Sequence, residues 1–151
     1  ASSQNTFYQA QNLKGNNNSL DKLYEEIKNR NEELYRTKQK NLVDPFSYEQ
    51  TSINLSEYGL LDNIIGYISI PKIEVTLPII LGANSKNLKN GAVHLTETSY
   101  PIGGMNTNSV IAAHSGWGTA KMFRHLDKLE IGDKIYIQNF REKLEYEVKI
   151  W

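Results

Sequence analysis

Three histidines are the side chains best suited to acid–base chemistry in this sequence of 151 residues, which contains no cysteine. His94 lies in the loop-like stretch GAVHLTET, and His125 lies in MFRHLDKL, where apolar neighbours mark one face of a short helix. We interpret both as structural or solvated. His114 directly follows SVIAA, an apolar run typical of a strand buried on both faces, and it precedes Ser115-Gly116. The strand would fix its backbone while the loop leaves its ring accessible, so His114 is the candidate functional histidine, with a satisfied structural histidine as the alternative.

Other catalytic arrangements are poorly supported by the spacing. The histidines form no His-x-x-x-His pair and no carboxylates cluster beside them, which disfavours a zinc or di-metal site. We therefore predict no metal and no cofactor. A serine triad built on Ser115 is sterically poor, because adjacent residues of an extended chain point in opposite directions. Seventeen basic and seventeen acidic residues indicate no nucleic-acid partner, and no apolar run approaches the ~20 residues that cross a bilayer.

The first third of the chain divides into an arm, a helix and an irregular segment. Residues 1–19 are polar and are expected to form a flexible arm. Apolar residues recur at helical spacing over 20–40, which predicts an amphipathic helix capped by Asn18 or Ser19 and packed on the domain surface, with a partner-binding helix as the alternative. Asp44-Pro45-Phe46 follows in non-helical geometry, so residues 20–63 form the second predicted unit.

Residues 64–151 carry the signals of short strands. GYISIPKI and VTLPIIL place β-branched residues beside prolines, which suits edge or bulged strands. KIYIQNF and KLEYEVKI flank a polar turn and predict a hairpin with one face in the core, while 119–129 predicts a short crossing helix. The expected fold is mainly β: a closed or nearly closed barrel with an N-terminal helix and short crossing helices. A strand left unpaired after the last hairpin predicts further residues beyond Trp151.

Five strings in one order resemble the sortases, most of all class C, the pilin-polymerising group: GYISIPKI, LPIILG, LKNGAVHLTETSYPIGG, NTNSVIAAHSG and TAKMFRHLDKLEIGDKIYI. The predicted helix adds a second match to class C, together with Asp44-Pro45-Phe46, a segment that is similar to the class C lid. By position, His114 resembles the catalytic histidine of the family, and Asp44, Pro45 and Phe46 resemble the lid. Class C members commonly carry an arginine directly after that histidine, whereas Ser115 stands here.

The resemblance implies a membrane-anchored cysteine transpeptidase on the extracytoplasmic face of a Gram-positive cell membrane. Such an enzyme cleaves an LPxTG-like sorting signal, holds the acyl group as a thioester and passes it to a lysine amine of the next pilin subunit. The family's cysteine and arginine have no counterpart in this chain and are expected beyond Trp151, in a missing C-terminal part of the same protein, so the chain alone would be inactive. Any membrane anchor would lie outside this chain. A non-catalytic β-barrel interaction module on the cell surface is the alternative.

Overall fold

One mixed sheet of six strands organises the part of the chain that the computed structural model describes, residues 18–37, 53–115 and 122–149. The strands are β1 (Ile64–Ile70), β2 (Val75–Leu81), β3 (Ala92–His94), β4 (Ile111–Ala112), β5 (Lys134–Asn139) and β6 (Lys143–Glu147). They lie in the order β4-β3-β2-β1-β5-β6, and every neighbouring pair is antiparallel except β2 and β3. The described helices are α1 (Asn18–Thr37) and α2 (Ser85–Asn90), with 3-10 turns at Leu55–Tyr58, Pro71–Ile73 and Leu126–Lys128.

Strand β1 lies at the centre of the sheet and is buried along almost its whole length. Its sequence, IIGYISI, supplies apolar side chains to both faces, which is what a strand covered on both sides requires. The register with β2 shifts between Ile64 and Gly66. A Cβ atom on Gly66 would lie 2.4 Å from the carbonyl oxygen of Gln138 on β5, so only glycine lets the two strands approach this closely.

The edge interpretation of the prolines was wrong, because β1 and β2 are the two central strands of the described sheet, whereas the other interpretation, a bulged strand, agrees with the register shift between Ile64 and Gly66. Pro71 lies in the 3-10 turn that ends β1 rather than in the strand itself. Pro78 pairs with Tyr67 of β1, and β3 begins opposite Ile79. Because β3 does not extend as far as Pro78, no ladder hydrogen bond is required from the N–H that proline lacks.

Helix α1 packs its apolar stripe against the sheet, as the periodicity predicts. Leu20, Leu23 and Ile27 are buried, while Glu26 and Arg30 form an ion pair on the exposed side. The described part of the helix begins at Asn18, so the capping role suggested for Asn18 or Ser19 stays a prediction. It is not apolar enough to cross a bilayer, and the same holds for the other helix in the described ranges. The arm predicted over 1–19 is wrong at its end, because Asn18 and Ser19 belong to α1, while its other residues and the segment Asp44-Pro45-Phe46 lie outside the described residues.

The hairpin of β5 and β6 is confirmed as a strand pair, but its predicted core face is not complete, because Leu144 of β6 is only half-buried and Tyr146 is exposed. Two other predictions change in detail. β4 has only two residues, Ile111 and Ala112, and both are half-buried rather than covered on both faces, because β3 is its one neighbour in the described sheet. The crossing helix predicted over 119–129 is a single 3-10 turn at Leu126–Lys128 within the part described. Its apolar side nevertheless packs on the core, as expected.

Residues 95–110, between β3 and β4, contain neither helix nor strand, yet many of them are buried. Buried backbone groups need hydrogen-bond partners, and three side chains outside the segment supply some of them, two from distant elements and one from the end of β3. The Asn31 side chain accepts from the Tyr100 N–H at 2.7 Å and donates to the Tyr100 carbonyl at 3.3 Å. Asn139 Nδ2 donates to the Pro101 carbonyl at 3.1 Å. His94 supplies the third anchor.

His94 is fully buried at the end of β3, not in a loop as its sequence context suggested. Its Nε2 lies 2.9 Å from the Ser99 carbonyl oxygen and 3.0 Å from Thr98 Oγ1. A carbonyl oxygen can only accept, so Nε2 carries the proton and Nδ1 does not. Burial lowers the pKa of His94 from 6.5 to about 4, against the opposing effect of its hydrogen bonds to Ser99 and Thr98. The ring is therefore neutral at physiological pH.

Replacing Asn31 by alanine is expected to lower the free energy of unfolding by about 2 kcal/mol, because two buried hydrogen bonds to the Tyr100 backbone are lost. Chemical denaturation measures the change. Asn29→Ala is the matched control: the same substitution on the exposed side of α1 should change stability by no more than about 0.5 kcal/mol. Equal effects of the two substitutions would contradict the anchoring role of Asn31.

The neutral, buried ring of His94 predicts a specific loss of stability in acid. The unfolded chain binds a proton near pH 6.5 and the folded chain only near pH 4, so stability is fully present above pH 6.5 and falls as the pH drops towards 4. The expected loss from this group is about 3 kcal/mol. The free energy of unfolding, measured by denaturation at several pH values between 7 and 4, should therefore fall less with decreasing pH for His94→Gln than for the wild type. His125→Gln, at a partly exposed histidine, is the control and should show the same fall in unfolding free energy as the wild type. The same fall in His94→Gln would refute the role of His94 as the buried, neutral histidine.

Candidate functional site

His114 lies two residues beyond β4, where the chain leaves the sheet, and its side chain is exposed. β4 is held against β3 by the pairs Val93–Ala112 and His94–Ile111. Ala113, between the strand and the histidine, packs on the hydrophobic core. The backbone is thus fixed immediately before His114 while the imidazole reaches solvent, which is a geometry suited to proton transfer with a bound molecule.

The carbonyl group of His114 provides a second attachment. It accepts a hydrogen bond of 2.9 Å from the N–H of Phe123, whose side chain is buried in the core. Residues 116–121, which connect the two, lie outside the described residues. His114 therefore sits between two fixed points, the sheet on its N-terminal side and Phe123 on its C-terminal side.

The irregular segment that leads into β4 is tied to residues near the end of β3. The Leu95 N–H donates to the Val110 carbonyl at 3.0 Å, and the Ser99 N–H donates to the Asn108 carbonyl at 3.1 Å. Side chains add to these bonds: Thr98 Oγ1 accepts from the Val110 N–H, and Ser99 Oγ accepts from the Asn108 N–H. Position 110 directly precedes β4. The loop and the strand that carries His114 therefore form one hydrogen-bonded unit.

Of the residues predicted for the site, the structure describes only His114. Asp44, Pro45 and Phe46 are outside the described residues, so their relation to His114 stays a prediction. His125 is partly exposed and precedes the 3-10 turn at Leu126–Lys128, where its carbonyl accepts from the Lys128 N–H. No group of three histidine, aspartate or glutamate side chains in the described ranges could hold a metal ion.

A groove of about 420 Å³ lies between α1 and the loop at 102–107. Tyr24, Tyr35 and Met105 line it together with charged side chains of α1. His114 and His94 are not among its lining residues. The groove is thus a separate surface feature, and it adds no group to the chemistry of His114.

Apart from Tyr146, whose pKa is raised by partial burial and by the charge of Glu142, the other pKa changes belong to surface ion pairs and mark no further site. Hydrogen bonds from Lys134 and Lys149 lower the pKa of Glu147 to about 2, and the same contact raises the pKa of Lys134. A hydrogen bond from the Glu130 backbone, with help from Lys72, lowers the pKa of Asp133. These groups are exposed or partly exposed on the outside of the sheet and its turns, so they are ordinary solvated pairs.

One feature escaped the sequence reasoning: His94 links β3 to the segment before β4. Its neighbours in GAVHLTET mix apolar residues such as Val93 and Leu95 with polar ones and show no clear period, so the pattern contained no burial signal strong enough to separate a core histidine from a solvated one. Thr98 and Ser99, four and five residues later, become its partners only because the chain turns back on itself.

Comparison with known proteins agrees with this architecture. The sortase domain matches residues 68–150. The chain is 29% identical over 116 residues to sortase A of Bacillus anthracis, covering 76% of this chain and 54% of that protein. It therefore spans about half the length of that curated relative.

Solved structures extend the likeness to nearly the whole chain. Sortase C1 of group B Streptococcus pilus island 1 matches with a TM-score of 0.83 and 31% identity, covering 99% of this chain and 75% of that one. A lid mutant of Streptococcus agalactiae sortase C1 matches with a TM-score of 0.80 and 31% identity, covering 97% and 73%. These matches confirm the predicted fold class, a mainly β sortase-like barrel of which the six strands form a curled half. The chain therefore belongs to the sortase family, and its structural neighbours support the class C assignment.

Proposed function

We propose that this chain is the histidine-bearing part of a class C sortase that cleaves an LPxTG-like sorting signal and joins pilin subunits through a lysine amine. The observation that carries the proposal is His114: an exposed imidazole at the end of β4, with its backbone held on both sides, in a chain of the sortase family. The chain contains no cysteine, so the proposal requires the nucleophile to come from another part of the complete protein.

The proposed reaction uses His114 twice. As an imidazolium beside the cysteine it stabilises the thiolate, which attacks the threonine carbonyl carbon of the sorting signal. The tetrahedral intermediate collapses, the Thr–Gly bond breaks, and His114 transfers its proton to the departing glycine amine. A thioester remains. The incoming lysine amine then attacks the thioester carbonyl, passes a proton to the imidazole and releases the thiolate, so that an isopeptide bond forms and His114 is protonated again.

Asp44, Pro45 and Phe46 are proposed as the lid of this site. The support is the resemblance of the segment to the class C lid and the similarity of the chain to a sortase C1 that has a lid and was solved as a lid mutant. A proline at position 45 disfavours helical geometry in the segment, and an aromatic ring at Phe46 would exclude water and substrate from the sulfur until the lid opens.

The proposed setting is the extracytoplasmic face of a Gram-positive cell membrane, with an anchor outside this chain. The support is family membership together with a structural neighbour from a pilus island. The partners would be pilins or surface proteins that carry LPxTG-like signals. The equal numbers of acidic and basic residues are compatible with peptide substrates and offer no attraction for nucleic acid.

In the complete protein, His114→Ala is expected to reduce cleavage of an LPxTG peptide by at least about 100-fold, the usual contribution of a general acid–base residue. Chromatography of the cleaved peptide measures the rate. The melting temperature should stay the same, because the side chain is exposed. His125→Ala serves as the matched control and should leave turnover unchanged. Wild-type turnover in His114→Ala would remove this residue from the mechanism.

A second expectation concerns the lid. Phe46→Ala in the complete protein should speed modification of the cysteine by a thiol reagent, because the ring no longer covers the sulfur. Tyr35→Ala removes an exposed aromatic ring from α1 and should not change the rate. The time course of labelling, followed by intact-protein mass spectrometry, distinguishes the two variants. If Phe46→Ala and the wild type react equally fast, the segment at 44–46 is a structural turn and not a lid.

A further inference from the structure

His94 makes contacts that go beyond those of a core-filling residue. Its ring stacks on Tyr100 with centroids 4.7 Å apart, and its Nε2–H points to both Ser99 O and Thr98 Oγ1. Its Nδ1 is buried without a hydrogen-bond partner among the described residues. Burying an acceptor without a partner is unfavourable, so filling space alone does not explain an imidazole here. The donor at Nε2 is the feature that an apolar residue could not replace.

A chain of hydrogen bonds leads from this donor to the strand before His114. Thr98 Oγ1 donates its own proton to the Leu95 carbonyl at 2.7 Å, so its lone pairs are left to accept. It accepts from the ring of His94 and from the Val110 N–H at 3.2 Å. Position 110 is the residue before β4. The His94 ring therefore orients the hydroxyl that holds the start of β4.

The second partner of the ring acts on the same stretch. The Ser99 carbonyl accepts from Nε2, while Ser99 holds Asn108 through its N–H and its hydroxyl. His94 also lies in β3 directly opposite Ile111 of β4. His94 is thus linked to residues 108 to 111 in three ways. Two links are hydrogen bonds of its ring, through Thr98 and Ser99, and the third is the pairing of its backbone with Ile111.

We infer that His94 is a positioning residue, which sets the location of β4 through Thr98 and Ser99 and thereby aims the imidazole of His114. This inference rests on the proposed function, because it assumes that His114 transfers protons. His94 itself does not touch the substrate in this account. A small displacement of a catalytic group reduces the rate strongly, up to about 100-fold for a shift of 1 Å, so loss of the donor should be visible in turnover.

The test compares two substitutions in the complete, cysteine-containing protein. His94→Phe keeps a ring that can stack on Tyr100 but removes the donor, whereas His94→Gln keeps an amide donor but removes the ring. Cleavage of an LPxTG peptide is measured well below the melting temperature of each variant. We expect His94→Phe to lower kcat by about 10-fold or more with KM within about twofold of wild type, and His94→Gln to recover most of kcat. His125→Phe is the control and should match the wild type.

Amide hydrogen exchange separates positioning from general destabilisation. In His94→Phe the exchange of the Val110 amide, which donates to Thr98, should accelerate at least about 10-fold more than that of the Ile68 amide in the central strand β1, which reports the loss of global stability. Equal acceleration of both amides would mean that His94 only stabilises the fold and would overturn the inference. Wild-type kcat in His94→Phe would do the same, as would a kcat for His94→Gln as low as that for His94→Phe.

Two outcomes keep this inference distinct from the proposed function. If His114→Ala retains turnover, the proposed function fails, whatever His94 does. If His114→Ala is inactive but His94→Phe has wild-type kcat, only the positioning role fails. Should His94→Phe not fold, ¹⁵N NMR of the wild-type imidazole decides: protonation at Nε2 supports the inference, and protonation at Nδ1 overturns it.

Discussion

Hydrogen bonds from buried side chains to the backbone of residues 95–110 are the interactions on which the arrangement of this molecule depends. The segment contains neither helix nor strand, yet much of it lies inside, where an unpaired N–H or C=O costs about 1–3 kcal/mol. Asn31 of α1, His94 of β3 and Asn139 of β5 meet this need. Three elements that are far apart in sequence thereby bind to the same segment, residues 95–110. Helix α1 is therefore held by hydrogen bonds of Asn31 as well as by its buried apolar side chains.

That segment also connects the rigid centre of the sheet to His114. β1 and β2 supply the buried apolar framework, and β3 extends it by only three residues. β4 is shorter still and half-buried, so its own two pairs with β3 are weak support for a histidine that must be held in place. The hydrogen bonds that Thr98 and Leu95 make with Val110 compensate for this shortness. A buried polar network of this kind is effective because every bond fixes a direction, which apolar packing alone does not.

Much of the fold could be predicted from local patterns. The strand over Val75–Leu81, the hairpin of β5 and β6 and the apolar face of α1 follow from residue alternation and helical spacing, since each pattern is visible within one element. The positions of the strands in the sheet were not predictable in this way: Pro78 indicated an edge or a bulged strand, but the short reach of β3 makes a central position possible. The candidate site was also predictable only in part. The sequence indicated His114 as the candidate functional histidine from its strand and loop context, but it indicated a loop position for His94.

The sequence by itself determined the types of the elements, the family and the one histidine that follows a strand into a loop, because those properties depend on residues close together in the chain. Only the tertiary structure decided which histidine is buried, which of its nitrogens donates and which residues it holds. The reason is physical: a lone imidazole in a stretch of mixed polarity is compatible with water and with a core. The choice between them is made by Thr98, Ser99 and Tyr100 once the chain has turned back onto β3.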